Sequence, residues 1–178
     1  IYETTLRYVI AKAVHNLYPK SEVKFSYSVS RSILAEIEGL GFPLDDDILL
    51  AIKTEVDRII NANYKIERRR ISVGEATRLY TKFNMHDKVE VLRYREEEYV
   101  NLYECDGYYN YMFGYMLPET GYLKLYNMFL YNPGLLIQYP RAEFGGKIPE
   151  FIDEPVFGGA LRKVAQWGQT IGGNTIPA

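Results

Sequence analysis

Two hydrophobic periods take turns along this chain, and that alternation constrains the fold more than any single motif. Leu6, Val9, Ile10, Ala13, Val14 and Leu17 recur at helical spacing, which puts one apolar stripe along one helix face. Residues 23–29 then run Val-Lys-Phe-Ser-Tyr-Ser-Val, and Ile33, Ala35 and Ile37 repeat at every second position. Period two marks a half-buried strand. The helical period returns at Ile48, Leu49, Ile52, Val56, Ile59 and Ile60, and again at Ala76, Leu79, Tyr80 and Phe83. The pattern predicts an α+β domain, with three helices near 5–17, 45–63 and 73–83 packed on a mainly antiparallel sheet.

Local punctuation sharpens these boundaries. Thr4 or Thr5 is suited to cap the first helix and Pro19 to close it. Ser30-Arg31 sits where a hairpin would join the first two strands. Asp45-Asp46-Asp47 precedes the second stripe, where carboxylates favour the positive end of a helix; the triplet lacks the spacing of a calcium loop. Residues 66–73 read as a strand carrying Arg68, Arg69 and Arg70. Ser72-Val73-Gly74-Glu75 has the form of a capping box. Alternation sends Arg69 to the face opposite Arg68 and Arg70, so the three form no single phosphate-binding patch. Ion pairing on a solvated face is expected instead, with Glu96, Glu97 and Glu98 of opposite sign close by in sequence. From Val89 onward strands and turns are expected. Asp106-Gly107 is a hairpin signal, and 123–125, 128–130 and 135–137 are later strands, broken at Asn132-Pro133-Gly134.

The formal charge of −2 gives no footprint for nucleic acid, so nucleic acid is not an expected partner. One cysteine, Cys105, excludes an internal disulfide and suits a reducing, cytoplasmic location. No apolar run approaches the length of a membrane span. Seventeen tyrosines, most of them between Tyr94 and Tyr139, suit a twisted sheet with an aromatic outer face. A stacking platform for bases is the functional alternative, but no Lys or Arg is interleaved with Tyr108, Tyr109, Tyr111 and Tyr115. His15 lies off its helix stripe and His86 in a loop; both read as surface residues. The start at Ile1, directly into a helix, suggests a fragment.

Three stretches carry a more specific signal. The opening helix reads Leu6-Arg7-Tyr8-Val9-Ile10-Ala11-Lys12-Ala13-Val14-His15-Asn16-Leu17-Tyr18-Pro19; later come Val100-Asn101-Leu102-Tyr103 and Gly114-Tyr115-Met116-Leu117-Pro118-Glu119-Thr120-Gly121. In order and flanking sequence, residues 2–141 resemble the second additional (editing) domain of threonyl-tRNA synthetase, shared with alanyl-tRNA synthetase. The segment Ile66 to Ala76, a charged strand followed by a Ser cap and a helix, fits the same resemblance. That family carries a His-x-x-x-His pair, a Cys and a final His, which converge to hydrolyse misacylated tRNA. The resemblance places these on Thr4, Tyr8, Tyr103 and Met116, so none of the four residues is kept. Imidazole and thiolate bind zinc or move protons near neutral pH; a phenol with a reference pKa near 10 does not. The resemblance thus implies a scaffold without catalytic residues and without a metal site. The cleft is either simply filled or converted to a ligand pocket, with Tyr8, Tyr103 and Met116 as walls and Thr4 as a polar handle. Leu117 to Gly121 also matches a sortase sorting signal, but it stands mid-chain with no hydrophobic tail after it; within the resemblance it is a turn.

After Arg141 the composition shifts to paired glycines and prolines, with a short helix expected over 160–167. Gly145-Gly146-Lys147-Ile148 lacks the spacing of a P-loop. Gln138-Tyr139-Pro140-Arg141, Ile148-Pro149-Glu150-Phe151 and Trp167-Gly168 make the whole chain similar to bacterial uridine kinase-like (nucleoside kinase) proteins. In those proteins a ubiquitin-like domain and a synthetase-like domain precede a P-loop kinase domain. This second resemblance implies an editing-domain-like domain over 1–141 and a Gly/Pro-rich connection over 142–178. It implies as partner the protein's own C-terminal kinase domain, where ATP and Mg would act, and no cofactor in the present chain. Three functions follow: a non-catalytic accessory or regulatory domain of such a kinase, a module binding a small ligand (a nucleoside or an aminoacyl group) or an RNA 3′ end, or a hydrolase of misacylated tRNA with altered residues.

Overall fold

A computed structural model describes residues 1–27 and 32–140. In chain order the elements are α1 (Tyr2–Leu17), β1 (Glu22–Tyr27), β2 (Ile33–Glu38), α2 (Asp46–Ala62), β3 (Glu67–Ser72), α3 (Val73–Lys82), α4 (His86–Leu92), β4 (Tyr99–Cys105), β5 (Tyr108–Asn110), a 3-10 turn at Thr120–Tyr122, β6 (Asn127–Tyr131) and β7 (Gly134–Gln138). The class is α+β, and the strand pairings with a described register are all antiparallel. The chain forms two compact units, one of Ile1–Glu22 with Glu55–Leu123, the other of residues 23–54 and 124 onward. Residues 46–54 of helix α2 belong to the second unit and residues 55–62 to the first.

The first unit holds the three-stranded sheet β3-β4-β5 with α1, α3 and α4. Its core joins Tyr8 of α1, Ala76 and Tyr80 of α3, Phe83, Leu92 of α4, Val100, Leu102 and Cys105 of β4, and Tyr108 of β5. Fully burying each large apolar side chain contributes about 1.5–3 kcal/mol. Helix α1 buries the expected Leu6, Val9, Ile10, Ala13 and Val14, and with them Thr5, Tyr8 and Lys12. It begins at Tyr2 with Ile1 as its cap, so Thr4 and Thr5 lie inside the first turns and do not cap it. The hydroxyl of Thr5 instead donates back to the Ile1 carbonyl at 2.7 Å.

The capping reading holds elsewhere. Asp45 accepts from the Ile48 amide at 2.9 Å, and Ser72 Oγ accepts from the Glu75 amide at 3.1 Å. The Glu75 side chain pairs with Arg78 and does not return to the cap. On β3, Arg69 pairs with Glu67 and with Glu104 across the ladder, at 3.5 and 3.3 Å, rather than with residues 96–98. The Asp106-Gly107 turn joins β4 to β5 as expected. Both residues have positive φ, 49° and 80°, the conformation of a type I′ hairpin turn.

The second unit holds the four-stranded sheet β1-β2-β7-β6. All five residues of β7 are buried, and it lies between β2 and β6, pairing Ile137 with Ile33 and with Met128. Gly134 is required at its start, because a Cβ there would meet the backbone carbonyl of Ala35. The strands β1 and β2 are neighbours; their connection at 28–31 lies outside the described residues, as do the Gly/Pro-rich segment 142–178 and the helix expected over 160–167.

Four expectations need correction. The described residues hold four α-helices, not three: α4 occupies His86–Leu92, where a loop and a strand were expected. Residues 123–125 form no strand, because the chain there follows the 3-10 turn, with the Leu123 amide donating to the Thr120 carbonyl at 3.1 Å. His15 is not a surface residue; its ring packs edge-on against Phe83 at 4.9 Å and beside Tyr108 at 5.6 Å. The tyrosines do not gather on one outer sheet face, although Tyr99 on β4 and Tyr27 on β1 are exposed. Tyr108 is buried in the core, while Tyr111, Phe113 and Tyr115 stand exposed on the segment after β5.

Candidate functional site

Tyr8, Tyr103 and Met116, three of the four positions that carry the synthetase resemblance, meet where α1 packs on β4 and β5. The Tyr8 side chain is fully buried. Its hydroxyl lies 2.9 Å from the carbonyl oxygens of both Tyr103 and Tyr108, and its ring meets Tyr108 edge-on at 5.3 Å. A phenol has one proton to donate, and here two carbonyls face it. Burial, reinforced by neighbouring Tyr108 and Cys105, pushes the Tyr8 hydroxyl far above its ordinary range. It is therefore neither a base nor a nucleophile near neutral pH.

The other three positions lie around it in different ways. Tyr103 is half-buried, packs against the same core and donates to the Gly114 carbonyl at 3.1 Å. Met116 also packs on that core from the segment after β5. Thr4 is half-buried in the first turn of α1. Its neighbour Thr5 ties the helix to this segment, accepting from the Leu117 amide at 2.8 Å. Thus Tyr8, Tyr103 and Met116 share one core cluster.

The Pro-x-Thr-Gly turn is a docking element. Thr120 Oγ1 accepts from the Tyr64 amide at 3.0 Å and donates to the Ile59 carbonyl at 2.7 Å. The Thr120 amide donates to the Tyr64 carbonyl at 2.9 Å. Gly121 donates its amide to Asn63 Oδ1 at 2.8 Å. These bonds fix the end of the segment that carries Met116.

Sequence reasoning missed several polar groups here. Lys12 is buried one turn beyond Tyr8, 3.5 Å from Asp106 of the hairpin turn, with its ammonium over the rings of Tyr64 and Tyr108 at 5.9 Å. Its i+4 spacing from Tyr8 was the available signal. Cys105 is buried, and desolvation pushes its thiol up to about 11, against the pull of Lys12. It is an inert core thiol. Asn110, also buried, donates to the Tyr108 hydroxyl at 2.9 Å, and its oxygen accepts from the Tyr111 amide at 2.9 Å and from Lys88 of α4. His86 is exposed, with Nε2 2.7 Å from Asn84 Oδ1. Among the described residues no three His, Cys, Asp or Glu side chains gather as a metal site would require. No described helix is long and apolar enough to cross a membrane.

A separate cavity of about 320 Å³ lies between α3, α4 and the start of β4. Lys88 and Arg95 supply its cations, Tyr80 and Tyr111 its rings, and Val91, Leu92 and Val100 its apolar wall.

No protein-family model matches the chain. In sequence it is similar to threonine–tRNA ligases. It is 26% identical over 121 residues to that of Lawsonia intracellularis, a match covering 68% of this chain and 19% of the ligase. With the ligase of Thermotoga petrophila it shares 28% over 129 residues, 71% of this chain and 20% of the ligase. With that of Aquifex aeolicus it shares 27% over 124 residues, 68% and 19% respectively. The chain thus matches about a fifth of the length of these relatives. The similarity supports the editing-domain-like α+β fold read from the motifs.

Proposed function

We propose that this chain is a non-catalytic accessory domain, built on the editing-domain scaffold of threonine–tRNA ligases, that serves a uridine kinase-like protein. The observation that carries the first half is Tyr8. Where the resemblance calls for an imidazole, a fully buried phenol faces two backbone carbonyls and holds its proton. On this reading Tyr8, Tyr103 and Met116 fill the cleft that hydrolyses misacylated tRNA in the synthetase family. Deacylation needs a group that exchanges protons near the working pH. Tyr8 cannot do so, and Cys105, the single thiol, is buried with a raised pKa. The kinase half rests on the sequence resemblance through residues 138–141, 148–151 and 167–168. All of these after Pro140 lie outside the described residues. That half implies ATP and Mg bound by a separate kinase domain, and a cytoplasmic location.

Incubating the chain with mischarged threonine-specific tRNA tests the first half. The expected result is no turnover above a protein-free control. Turnover abolished by Tyr8→Phe or Tyr103→Phe overturns it. The kinase half is tested on the reading frame itself, which is expected to encode Gly-x-x-x-x-Gly-Lys-Ser/Thr after Ala178; a frame without it overturns that half.

A further inference from the structure

We propose that the cavity between α3, α4 and β4 is a binding site for a nucleoside monophosphate, with Lys88 and Arg95 taking the phosphate, Tyr111 stacking on the planar base and Tyr80 part of the wall. Nothing in the synthetase resemblance placed a site on these residues, and the proposal does not depend on the accessory-domain reading.

The cations set the charge of the ligand. Arg95 comes from the turn after α4. It uses Nη2 on the Tyr99 carbonyl at 3.4 Å, and Nε lies 3.6 Å from Glu97. A guanidinium has five N–H donors in a planar fork, so these contacts leave donors for two phosphate oxygens. Lys88 directs its ammonium to Asn110 Oδ1 and over the Tyr80 ring at 5.9 Å. Desolvation pushes this amine down to about 8, partly offset by Glu22. An ammonium held in such surroundings gains from an entering anion, and charge-assisted hydrogen bonds to phosphate are the strong ones. Two cations lining one cavity fit a phosphate better than a neutral ligand.

The rings and the wall set the rest. Tyr80 is almost wholly buried, and Val91, Leu92 and Val100 complete an apolar surface of the kind that lines small-molecule sites. Tyr111 is 45% exposed at the cavity edge. It begins the exposed segment that continues to Phe113 and Tyr115. Its backbone amide donates to Asn110 Oδ1, and the partly exposed ring at the cavity edge is placed to stack on a base. A cavity of about 320 Å³ is at the small end of ligand sites, which favours a mononucleotide over a dinucleotide or a tRNA terminus.

Titrating the 178-residue chain with UMP, AMP, uridine and inorganic phosphate, followed by calorimetry and by NMR shifts, tests this. The expected result is saturable binding of a monophosphate, with uridine and phosphate each at least about tenfold weaker. Arg95→Gln and Tyr111→Ala should each weaken monophosphate binding about tenfold or more. Both side chains are at the surface, and an unchanged far-UV CD spectrum and melting temperature confirm that the fold is intact. Shifts confined to residues near Tyr8, or monophosphate affinity unaltered by both substitutions, overturn the site. Inorganic phosphate binding as tightly as the monophosphates overturns the nucleoside assignment. An absence of any binding at about 1 mM overturns the proposal outright. Deacylation of mischarged tRNA would sink the accessory reading while leaving these outcomes unaffected.

Discussion

Lys88 shows how a single residue links the architecture to a measurable pH dependence. It is packed by Tyr80 of α3, Asn110 of β5 and the Arg95 turn, with Glu22 of β1 the opposing charge. Its folded-state pKa, about 8, lies below the 10.5 of an exposed lysine. Between these values the unfolded chain binds more protons than the folded one, so stability rises with pH. His15, whose pKa burial lowers, adds its own loss only below about 6.5. Cys105, raised from 9.0, and the buried tyrosines act in the opposite direction at higher pH. The Lys88 effect is therefore read most cleanly between about pH 7 and 8, below the range in which an unfolded thiol ionises. The urea midpoint is expected to rise across that interval, and in Lys88→Met the rise should disappear. An equal rise in both proteins would assign it to another group. None of this was visible in the sequence, where Lys88 is one charged residue in a polar stretch; burial of its stem comes from α4, an element that periodicity did not show.

At the scale of the element, two glycines separate local conformation from packing. Gly107 has φ +80°, and a Cβ added there meets nothing within 4 Å. Gly107→Ala therefore tests conformation alone and should destabilise by about 1–2 kcal/mol. Gly74 lies in the first turn of α3, where an added Cβ meets only Ser72 Oγ at 4.0 Å. Gly74→Ala should stabilise by about 0.4–1 kcal/mol, mainly by restricting the unfolded chain. Urea unfolding of the two variants should move the midpoint in opposite directions; a Gly107→Ala variant no less stable than the parent chain would remove the type I′ assignment of the hairpin. Both elements were legible because their signals are local: Asp106-Gly107 for the turn, Ser72 and Glu75 for the cap. Helix α4 was not, because seven residues give only two turns. Val89 and Leu92 are its inward pair, and Val91 is exposed at the rim of the cavity, so no stripe could register. Residues 123–125 misled for the opposite reason: Leu-Lys-Leu alternates in the sequence, but only Leu123 is buried, beside the turn anchored at Thr120, and Leu125 is exposed.

The whole molecule decides what the lost chemistry means. The α+β class could be read from periodicity, because each amphipathic segment reports the face it buries. The division into two units could not, since α2 has one continuous apolar stripe through both. The fate of the site was half legible: the four replacements could be named, but not that Tyr8 would be proton-locked or that Thr5, not Thr4, would tie α1 to the segment carrying Met116. Metal content follows from the same global facts. A structural zinc site takes four Cys or His ligands, and a catalytic one takes three protein ligands with an open position. The full sequence has one Cys and two His. Cys105 keeps its proton to about pH 11, so coordination would have to drive off a buried thiol proton. The His15 ring is packed on Phe83, and His86 stands exposed beside Asn84, on a different element. Asp or Glu ligands would have to be recruited around one of these without a partner in place. The purified chain, dialysed against a mild chelator and assayed by atomic emission, is therefore expected to retain well under one zinc per molecule. Stoichiometric zinc, with a melting temperature that falls when it is stripped, would show that ligands converge here in a way the Tyr8 core does not provide, and the non-catalytic reading would fall with it.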